Sequence, residues 1–216
     1  MNNIEFQIEF HHIHPRFDEN GSLTIITGPM FSGKTTAIID FYNKINNWSV
    51  PICNKPKSTV KKNAIILNHK LDIRYSTTDL VNHNKTKVPC TFIDNLNEFS
   101  DLENDNISEE FNNNDFILIN ECQFFDNIKN WILIAVNKYK KNIYISGLDG
   151  DFKQNIFGNW YELIPHCDNI IKLHSTCHLC KLENAIFSHR ITDETLQTVI
   201  GSDNYIPLCR NCYNNI

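Results

Sequence analysis

Three adjoining stretches near the start of this chain constrain its fold more than any other feature. Residues 23–27 are apolar and β-branched, as in a buried strand, and residues 36–45 carry apolar side chains at helical spacing. Between them, residues 28–35 fit the pattern G-x-x-x-x-G-K-[ST]. A strand, a glycine loop and a helix in this order form a phosphate-binding loop. The alternative, a glycine-rich turn at a helix start, is less consistent with both flanks.

The residues of this loop have distinct predicted roles. The glycines let backbone N–H groups close on the phosphates, Lys34 reaches the β and γ oxygens, and the Thr35 hydroxyl binds Mg²⁺. We therefore predict that a nucleotide with its Mg²⁺ is bound by Gly28, Pro29, Met30, Phe31, Ser32, Gly33, Lys34 and Thr35.

Apolar strand-like and amphipathic helix-like stretches alternate after this loop. Strands are predicted at 64–67, 91–93, 116–119 and 143–146, and helices at 96–102 and 128–139. Residues 55–62 are basic and are expected to form an exposed loop. Alternation of this kind predicts an α/β fold, a parallel sheet flanked by helices. We divide the chain into an N-terminal extension (1–22), a P-loop nucleotide-binding domain (23–173) and a C-terminal domain (174–216).

Composition and charge narrow the possible functions. The chain has 216 residues, 41% of them hydrophobic, and a formal net charge of −5. This charge argues against a general nucleic-acid binder but is compatible with a small phosphorylated ligand. No apolar run approaches the ~20 residues of a membrane span, and residues 1–5 do not resemble a secretory signal. We expect a cytoplasmic protein without a membrane partner.

The N-terminal extension carries two weaker signals. Phe6, Ile8 and Phe10 alternate with polar residues, which is compatible with a short edge strand. His11, His12 and His14 lie close enough together to bind a metal, but they have no cysteine or carboxylate partner. Surface histidines are therefore the favoured interpretation.

The C-terminal domain contains two C-x-x-C pairs, Cys177 with Cys180 and Cys209 with Cys212. Two such turns can complete a tetrahedral shell of four thiolates, which is typical of structural zinc. Free thiols or a redox pair are the alternatives, and neither accounts for two matching pairs. Because all four positions are filled, no position remains for a catalytic water. The other four cysteines are scattered, and we interpret them as buried thiols.

The segment between the two pairs is long. It has 28 residues, and residues 174–216 carry three cationic and four anionic side chains. That balance disfavours binding to a phosphate backbone. We interpret the segment as a lid that is held at both ends by the metal site.

Several blocks together resemble the zinc-containing type II thymidine kinases. Residues 28–35 match the family's P-loop, 72–76 (D-I-R-Y-S) its D-x-R-Y segment, and 121–125 (E-C-Q-F-F) its E-x-Q-F-F block. Residues 148–152 with 157–158 resemble its L-D-G-x-F…F-G segment, and the cysteine pairs flank 187–190 (F-S-H-R). The blocks occur in family order from about residue 23 to 213.

This resemblance implies a function and a set of partners. The expected protein is a thymidine kinase that transfers the γ-phosphate of ATP to the 5′-hydroxyl of thymidine, with Mg²⁺ and structural Zn²⁺. The family's zinc domain carries a lasso-like loop that closes over the nucleoside. Family members are usually homotetramers that dTTP inhibits.

Catalytic and substrate residues are predicted on the same basis. Glu121, at the end of a buried strand, is the expected base for the 5′-hydroxyl; the alternative is a solvated loop acid. Gln123 is assigned to the ATP and Mg²⁺ site. The thymidine site is assigned to Phe124, Leu148, Phe152, Phe157, Ser188, Val199 and Tyr205. Any one of the aromatic residues could instead be plain core. Arg190 either clamps phosphate or braces the loop by an ion pair, and the brace is favoured.

Three positions in two segments depart from the family pattern. Asn120 stands where an Asp usually precedes the catalytic Glu, and Asn84 and Lys85 replace an Asp and an Arg. Asn120, assigned to the Mg²⁺ site, keeps an oxygen acceptor but loses the charge, so we expect an active kinase with a raised Mg²⁺ requirement. The alternatives are a nucleotide-binding relative without significant turnover and a zinc-stabilised P-loop ATPase.

Overall fold

The central element of the computed structural model is a six-stranded sheet in which all neighbours are parallel. The structure describes residues 14–52, 55–72, 76, 78–201 and 203–216. The sheet has the order β10-β1-β9-β8-β4-β7. Its strands are β1 (Ser22–Gly28), β4 (Ala64–His69), β7 (Thr91–Ile93), β8 (Phe116–Ile119), β9 (Asn142–Leu148) and β10 (Asn169–Lys172).

Four antiparallel two-stranded ribbons lie outside this sheet. They are β2 (Ser49–Ile52) with β3 (Lys55–Lys61), β5 (Asp79–Val81) with β6 (Lys87–Pro89), β11 (Ser175–Thr176) with β12 (Asn184–Ala185), and β13 (Phe187–Arg190) with β14 (Tyr205–Leu208). The α-helices are α1 (Lys34–Asn46), α2 (Leu96–Phe99), α3 (Glu109–Asn113), α4 (Ile128–Asn137) and α5 (Arg210–Asn214). Cys122–Phe124 and Trp160–His166 form 3₁₀ segments.

Both faces of the sheet are buried, because alternate strand residues point to opposite sides. On β8, Ile117 and Ile119 face one core cluster, whereas Phe116 and Leu118 face the other. Helix α4 packs in the first cluster and α1 in the second. The predicted α/β fold, a parallel sheet flanked by helices, is therefore confirmed.

Two local predictions need correction. Residues 55–62, expected to be a loop, include strand β3, which pairs with β2. The helix expected at 96–102 ends at Phe99, where the backbone becomes extended at Ser100. Asn95 caps this short helix with a capping box to Glu98. Edge strand β10 carries mostly exposed residues, so its sequence lacks the apolar run that marks the inner strands.

The N-terminal extension is described only from residue 14. The edge strand predicted at Phe6–Phe10 and the histidines at 11 and 12 lie outside the described residues. Within the described part, the Phe17 ring lies 6.1 Å from that of Phe116. The Asp18 amide donates to the Asn142 side chain over 2.8 Å. Residues 17 and 18 therefore pack against the first residues of the central strands β8 and β9.

A third and smaller core cluster belongs to the C-terminal segment. It contains Cys177, Ala185, Leu208 and Cys209. Leu173, near the predicted boundary, packs instead with the second cluster of the sheet. The division of the chain at 173 stays a prediction. Within the described residues, no helix is both long and apolar enough to span a membrane.

Candidate active site

The phosphate-binding loop lies between β1 and α1, as the sequence predicts. At its start, Gly28 has φ 151°, and a Cβ there would lie 2.4 Å from the Leu173 carbonyl oxygen. Only glycine fits that conformation and that approach. Gly33, with φ 84°, leads into α1. The loop therefore delivers its backbone N–H groups to the N-terminus of a helix, where phosphate oxygens are favoured.

The Lys34 ammonium group is held by its own loop. It donates to the carbonyl oxygens of Gly28 and Pro29 over 3.1 and 2.7 Å, and Lys34 is buried. Phosphate oxygens can replace these carbonyl oxygens without leaving a buried ammonium group unpaired. Gly28 and Pro29 contribute to the site through these carbonyl groups and do not line the cavity described below.

Glu121 follows β8 in a left-handed conformation, with φ 52° and ψ 44°. A non-glycine residue in this conformation is strained, and such strain is concentrated at functional sites. The side-chain amide nitrogen of Gln123 donates to Glu121 Oε2 over 2.6 Å. The Gln123 Oε1 atom accepts from the Leu148 backbone amide over 3.2 Å. Gln123 thus fixes the Glu121 carboxylate relative to the end of β9.

One cleft, open to solvent, connects the phosphate-binding loop with the C-terminal segment. It is lined by most of the predicted residues: Met30, Phe31, Ser32, Gly33, Lys34, Thr35, Glu121, Gln123, Phe124, Leu148, Phe152, Phe157, Ser188, Val199 and Tyr205. Among the predicted nucleotide and substrate residues, only Gly28, Pro29 and Asn120 do not line it. The sequence assignments therefore converge on a single cavity, although the role of each residue stays a prediction.

Aromatic side chains form one wall of the cleft. The rings of Phe124 and Phe157 meet edge to face, with centroids 5.7 Å apart. Gly158, next to Phe157, has φ 79°, and a Cβ there would lie 2.5 Å from the Gln123 carbonyl oxygen. This close approach brings the Phe157 segment against the residues that follow β8. The two rings thus form an apolar wall of the cleft that Glu121 also lines.

Asn120 occupies a place that the sequence did not indicate. Its side chain is buried, with 1% exposure, and its amide is bonded at both ends to Ser146 and Asn68. Asp72, which the sequence pattern marks only as part of a motif, lines the cleft and accepts from Asn68. The turn with Asn84 and Lys85 is exposed, and neither residue lines the cleft.

The covering loop, residues 191–204 between β13 and β14, closes one side of the cleft; Ser202 is not described. Arg190 holds it: the buried guanidinium donates to the carbonyl oxygens of Glu194, Leu196 and Gln197. Its Cζ lies 3.8 Å from the centroid of the Phe152 ring. Arg190 thus braces the loop, as favoured from the sequence, but the bonds go to backbone carbonyls instead of forming the ion pair we expected.

A polar latch between Asp151 and Gln197 was missed. The Gln197 amide nitrogen donates to Asp151 Oδ2 over 2.9 Å and to the Ile156 carbonyl oxygen over 3.1 Å. Burial disfavours the charged carboxylate, but hydrogen bonds from Gln197, Asn155 and Lys153 outweigh it and lower the pKa of Asp151. No sequence signal joins two residues 46 positions apart, so only the tertiary structure identifies this latch.

The four predicted metal ligands come together. The sulfur atoms of Cys177, Cys180, Cys209 and Cys212 all lie within 4.8 Å of one another. A tetrahedral zinc site with Zn–S bonds of about 2.3 Å needs sulfur atoms about 3.8 Å apart, so this group can hold a metal such as zinc. Burial raises the pKa of the Cys177 thiol, but hydrogen bonds from the backbone N–H groups of Cys209, Cys180 and Leu179 lower it to about 6. Thiolate is the form that binds metal.

A P-loop after β1, a carboxylate after β8 of the same sheet and an aromatic wall in one cleft define a phosphotransferase of the P-loop type. The family model for thymidine kinase matches residues 21–213. The chain is 35% identical to a thymidine kinase of rice (Oryza sativa subsp. japonica) over 194 residues. The aligned residues make up 89% of this chain and 66% of the rice protein.

Viral relatives match over nearly their full length. A thymidine kinase of Choristoneura fumiferana entomopoxvirus is 34% identical over 197 residues, 89% of this chain and 96% of the viral protein. One of Amsacta moorei entomopoxvirus is 31% identical over 90% of this chain and 98% of its own length. The chain belongs to the thymidine kinase family, which confirms the resemblance seen in the sequence.

Proposed function

We propose that this protein is an ATP-dependent thymidine kinase that converts thymidine to dTMP. The observation that carries the proposal is one cleft that contains the P-loop lysine Lys34, the carboxylate of Glu121 and the covering loop. Phosphoryl transfer requires a gripped triphosphate and an aligned acceptor hydroxyl, which these three elements can supply. Membership of the thymidine kinase family supports thymidine as the acceptor.

In the proposed reaction the 5′-hydroxyl oxygen attacks the γ-phosphorus in line with the bond to the β-γ bridging oxygen. The O5′–P bond forms, the bridging bond breaks and ADP leaves, while Glu121 accepts the hydroxyl proton. Lys34 and the loop amides stabilise the charge on the phosphate oxygens. The hydrogen bond from Gln123 holds the Glu121 carboxylate in place for this transfer.

Mg²⁺ would enter with ATP. Thr35 and Glu121 offer oxygen ligands in the same cleft, and oxygen is the donor that Mg²⁺ prefers. When bound, the ion neutralises charge on the β and γ phosphates.

The nucleoside is proposed to lie between the aromatic wall and the covering loop. Phe124, Phe152, Phe157 and Leu148 offer a flat apolar surface for thymine, and Tyr205 reaches the cleft from β14. The Tyr205 hydroxyl donates to the Val199 carbonyl oxygen over 3.2 Å, which fixes the loop backbone at Val199. A slot with one side made of backbone selects bases by shape, so pyrimidines are favoured over purines.

The cysteine group is proposed to hold structural Zn²⁺. Four thiolates complete a tetrahedral shell and leave no position for substrate. The further proposals follow from family membership: a homotetramer, inhibition by dTTP and a cytoplasmic location. Size-exclusion chromatography with light scattering tests the first, and dTTP titration of the kinase reaction tests the second.

The decisive experiment measures transfer of labelled phosphate from ATP to thymidine across a Mg²⁺ titration. We expect dTMP to form. If none forms at any Mg²⁺ concentration while ATP binds, the protein is a nucleotide-binding relative without turnover. Loss of ATP without thymidine identifies an ATPase instead.

The variant Glu121→Gln tests the proposed base. It preserves shape and removes proton-accepting capacity, so kcat should fall about 10²- to 10⁴-fold while ATP affinity stays near normal. Glu110→Gln changes an exposed side chain on α3; it is the matched control and should have wild-type kinetics. If Glu121→Gln retains substantial kcat, another group accepts the proton.

A further inference from the structure

Three buried polar side chains join neighbouring strands next to the cleft. Ser146 on β9 donates to Asn120 Oδ1 over 2.8 Å. The Asn120 amide nitrogen donates to Asn68 Oδ1 over 3.1 Å, and the Asn68 amide nitrogen donates to Asp72 Oδ2 over 3.1 Å. Ser146, Asn120 and Asn68 are each 1% exposed. We call these three side chains the amide relay; its last partner, Asp72, lines the cleft.

The chemistry of its last partner fixes the direction of the relay. An ionised carboxylate only accepts hydrogen bonds, so Asn68 must turn its NH₂ group to Asp72 and its oxygen to Asn120. Asn120 must then donate through its NH₂ group and accept from Ser146 through its oxygen. Every member therefore has one orientation, and each donates toward the carboxylate in the cleft.

This direction requires an amide at position 120. An Asp there could accept from Ser146 but could not donate to the Asn68 oxygen. If Asn68 turned over to serve the new carboxylate, its oxygen would face Asp72 and that bond would be lost. A carboxylate at the fully buried position 120 would also lack a cationic partner within the relay, which is costly.

The relay touches the backbone or side chain at two of the three acids that line the cleft, Asp72 and Glu121. Asn120 immediately precedes Glu121 and holds the end of β8, through its backbone N–H bond to the Leu67 carbonyl oxygen over 2.9 Å. Glu121 then turns into its strained left-handed conformation. Asn68, on the adjacent β4, holds Asp72 directly. One chain of bonds thus reaches the Asp72 carboxylate directly and includes the residue that immediately precedes Glu121.

We infer that Asn68, Asn120 and Ser146 are positioning residues, which hold the Asp72 and Glu121 carboxylates in the geometry needed for phosphoryl transfer. The inference rests on the proposed function for its kinetic consequence. It assigns the Asn at position 120 a role as a hydrogen-bond donor, which an acid cannot fill.

This role and the Mg²⁺ role expected from the sequence predict opposite outcomes for Asn120→Asp. If residue 120 faced Mg²⁺, the acid would restore a charge and lower the Mg²⁺ requirement. If it belongs to the relay, the acid breaks a chain of buried hydrogen bonds. We expect kcat to fall about tenfold or more, since small displacements of reacting groups are costly. The Mg²⁺ requirement and the dissociation constant of MgADP should change less than about threefold.

Kinetics and calorimetry on the full chain measure these quantities, with Asn130→Asp as control. Asn130 is exposed in the first turn of α4, so the same chemical change there should leave kcat and Tm at their wild-type values. Retained kcat in Asn120→Asp, or a lowered Mg²⁺ requirement, would overturn the inference. A fall in kcat with an equal loss of MgADP binding would indicate general damage and would also overturn it.

A thermal-unfolding cycle tests the relay without any kinase assay. Asn68→Ala and Asn120→Asp should each lower Tm, by about 5 °C or more. Because both break one network, the double variant should lose clearly less than the sum of the two. Additive losses would mean that the residues act independently and the relay does not exist. This result stands whether or not wild-type protein forms dTMP.

Discussion

The two sides of the cleft are built in different ways. The phosphate-binding side consists of loops at the ends of parallel strands, and those strands are fixed by apolar residues such as Ile26 and Leu118, both 0% exposed. The opposite side is the covering loop, where residues 191–198 are all exposed. The position of this loop depends on its hydrogen bonds to Arg190, on the latch to Asp151 and on the cysteine group of the C-terminal segment.

This difference separates stability from substrate capture. Burial of strand residues supplies most of the folding free energy, so the phosphate-binding side cannot move without unfolding. A few hydrogen bonds and the cysteine group hold the covering loop, and each of those hydrogen bonds is worth far less than the core. We therefore expect the loop to open locally while the sheet stays folded, which would let the nucleoside enter and leave.

Metal removal should give the largest effect. A structural zinc site contributes about 10 kcal/mol or more in small zinc modules, so chelation or Cys209→Ser should unfold the C-terminal segment. Thymidine affinity should fall about 100-fold or more, whereas MgADP affinity changes little because the P-loop lies on the sheet. Isothermal titration of both ligands measures this. Cys167→Ser, outside the cysteine group, is the control, and equal loss of both affinities would contradict the separation.

Truncating a core side chain should destabilise the phosphate-binding side of the cleft and leave the covering loop unchanged. Leu118→Ala removes a fully buried side chain from β8 and should lower the free energy of unfolding by about 2–5 kcal/mol. Hydrogen exchange of the covering-loop amides in the native state should stay unchanged. Leu182→Ala is the control, since Leu182 is 88% exposed and its truncation should cost little. Faster exchange in the covering loop of Leu118→Ala would show that the two sides are coupled.

The smallest effect concerns the Asp151–Gln197 latch and pH. The folded-state pKa of Asp151 lies below its ordinary value of 3.8. Its contribution to stability is therefore present above pH 3.8 and is lost as pH falls through the lowered pKa. Covering-loop exchange, corrected for intrinsic rates, should be constant from pH 8 to 5 and should rise at lower pH.

Asp151→Asn provides the comparison for this latch. In this variant, hydrogen exchange of the covering-loop amides should lack the acid-dependent rise, because position 151 no longer carries a carboxylate to protonate. Asp193→Asn, an exposed change in the same loop, should behave as wild type. An identical acid response in wild type and Asp151→Asn would show that another group controls the loop.

Much of the site could be predicted because its chemistry is local in sequence. The P-loop needs eight consecutive residues, and each C-x-x-C pair fixes two ligands on one turn. Glu121 was identified because it follows an apolar strand, and parallel strands bring their carboxyl ends to one edge. The same local reasoning failed at residues 55–62, where strand pairing overrides a basic composition. For Arg190 it indicated the brace but not the partners, which are backbone carbonyls and the Tyr205 hydroxyl instead of an acid.

The sequence by itself determined the α/β class, the phosphate-binding loop, the four clustered cysteines and the membership of a kinase family, because short-range pattern and residue chemistry are sufficient for each. Only the tertiary structure decided which side chains Asn120 bonds to and how the covering loop is held. Asn68 and Ser146 lie on strands β4 and β9 and Asn120 follows β8, whereas Asp151 and Gln197 come from two separate loops. Side-chain hydrogen bonds depend on ångström-scale distances across the fold, which no spacing along the chain encodes.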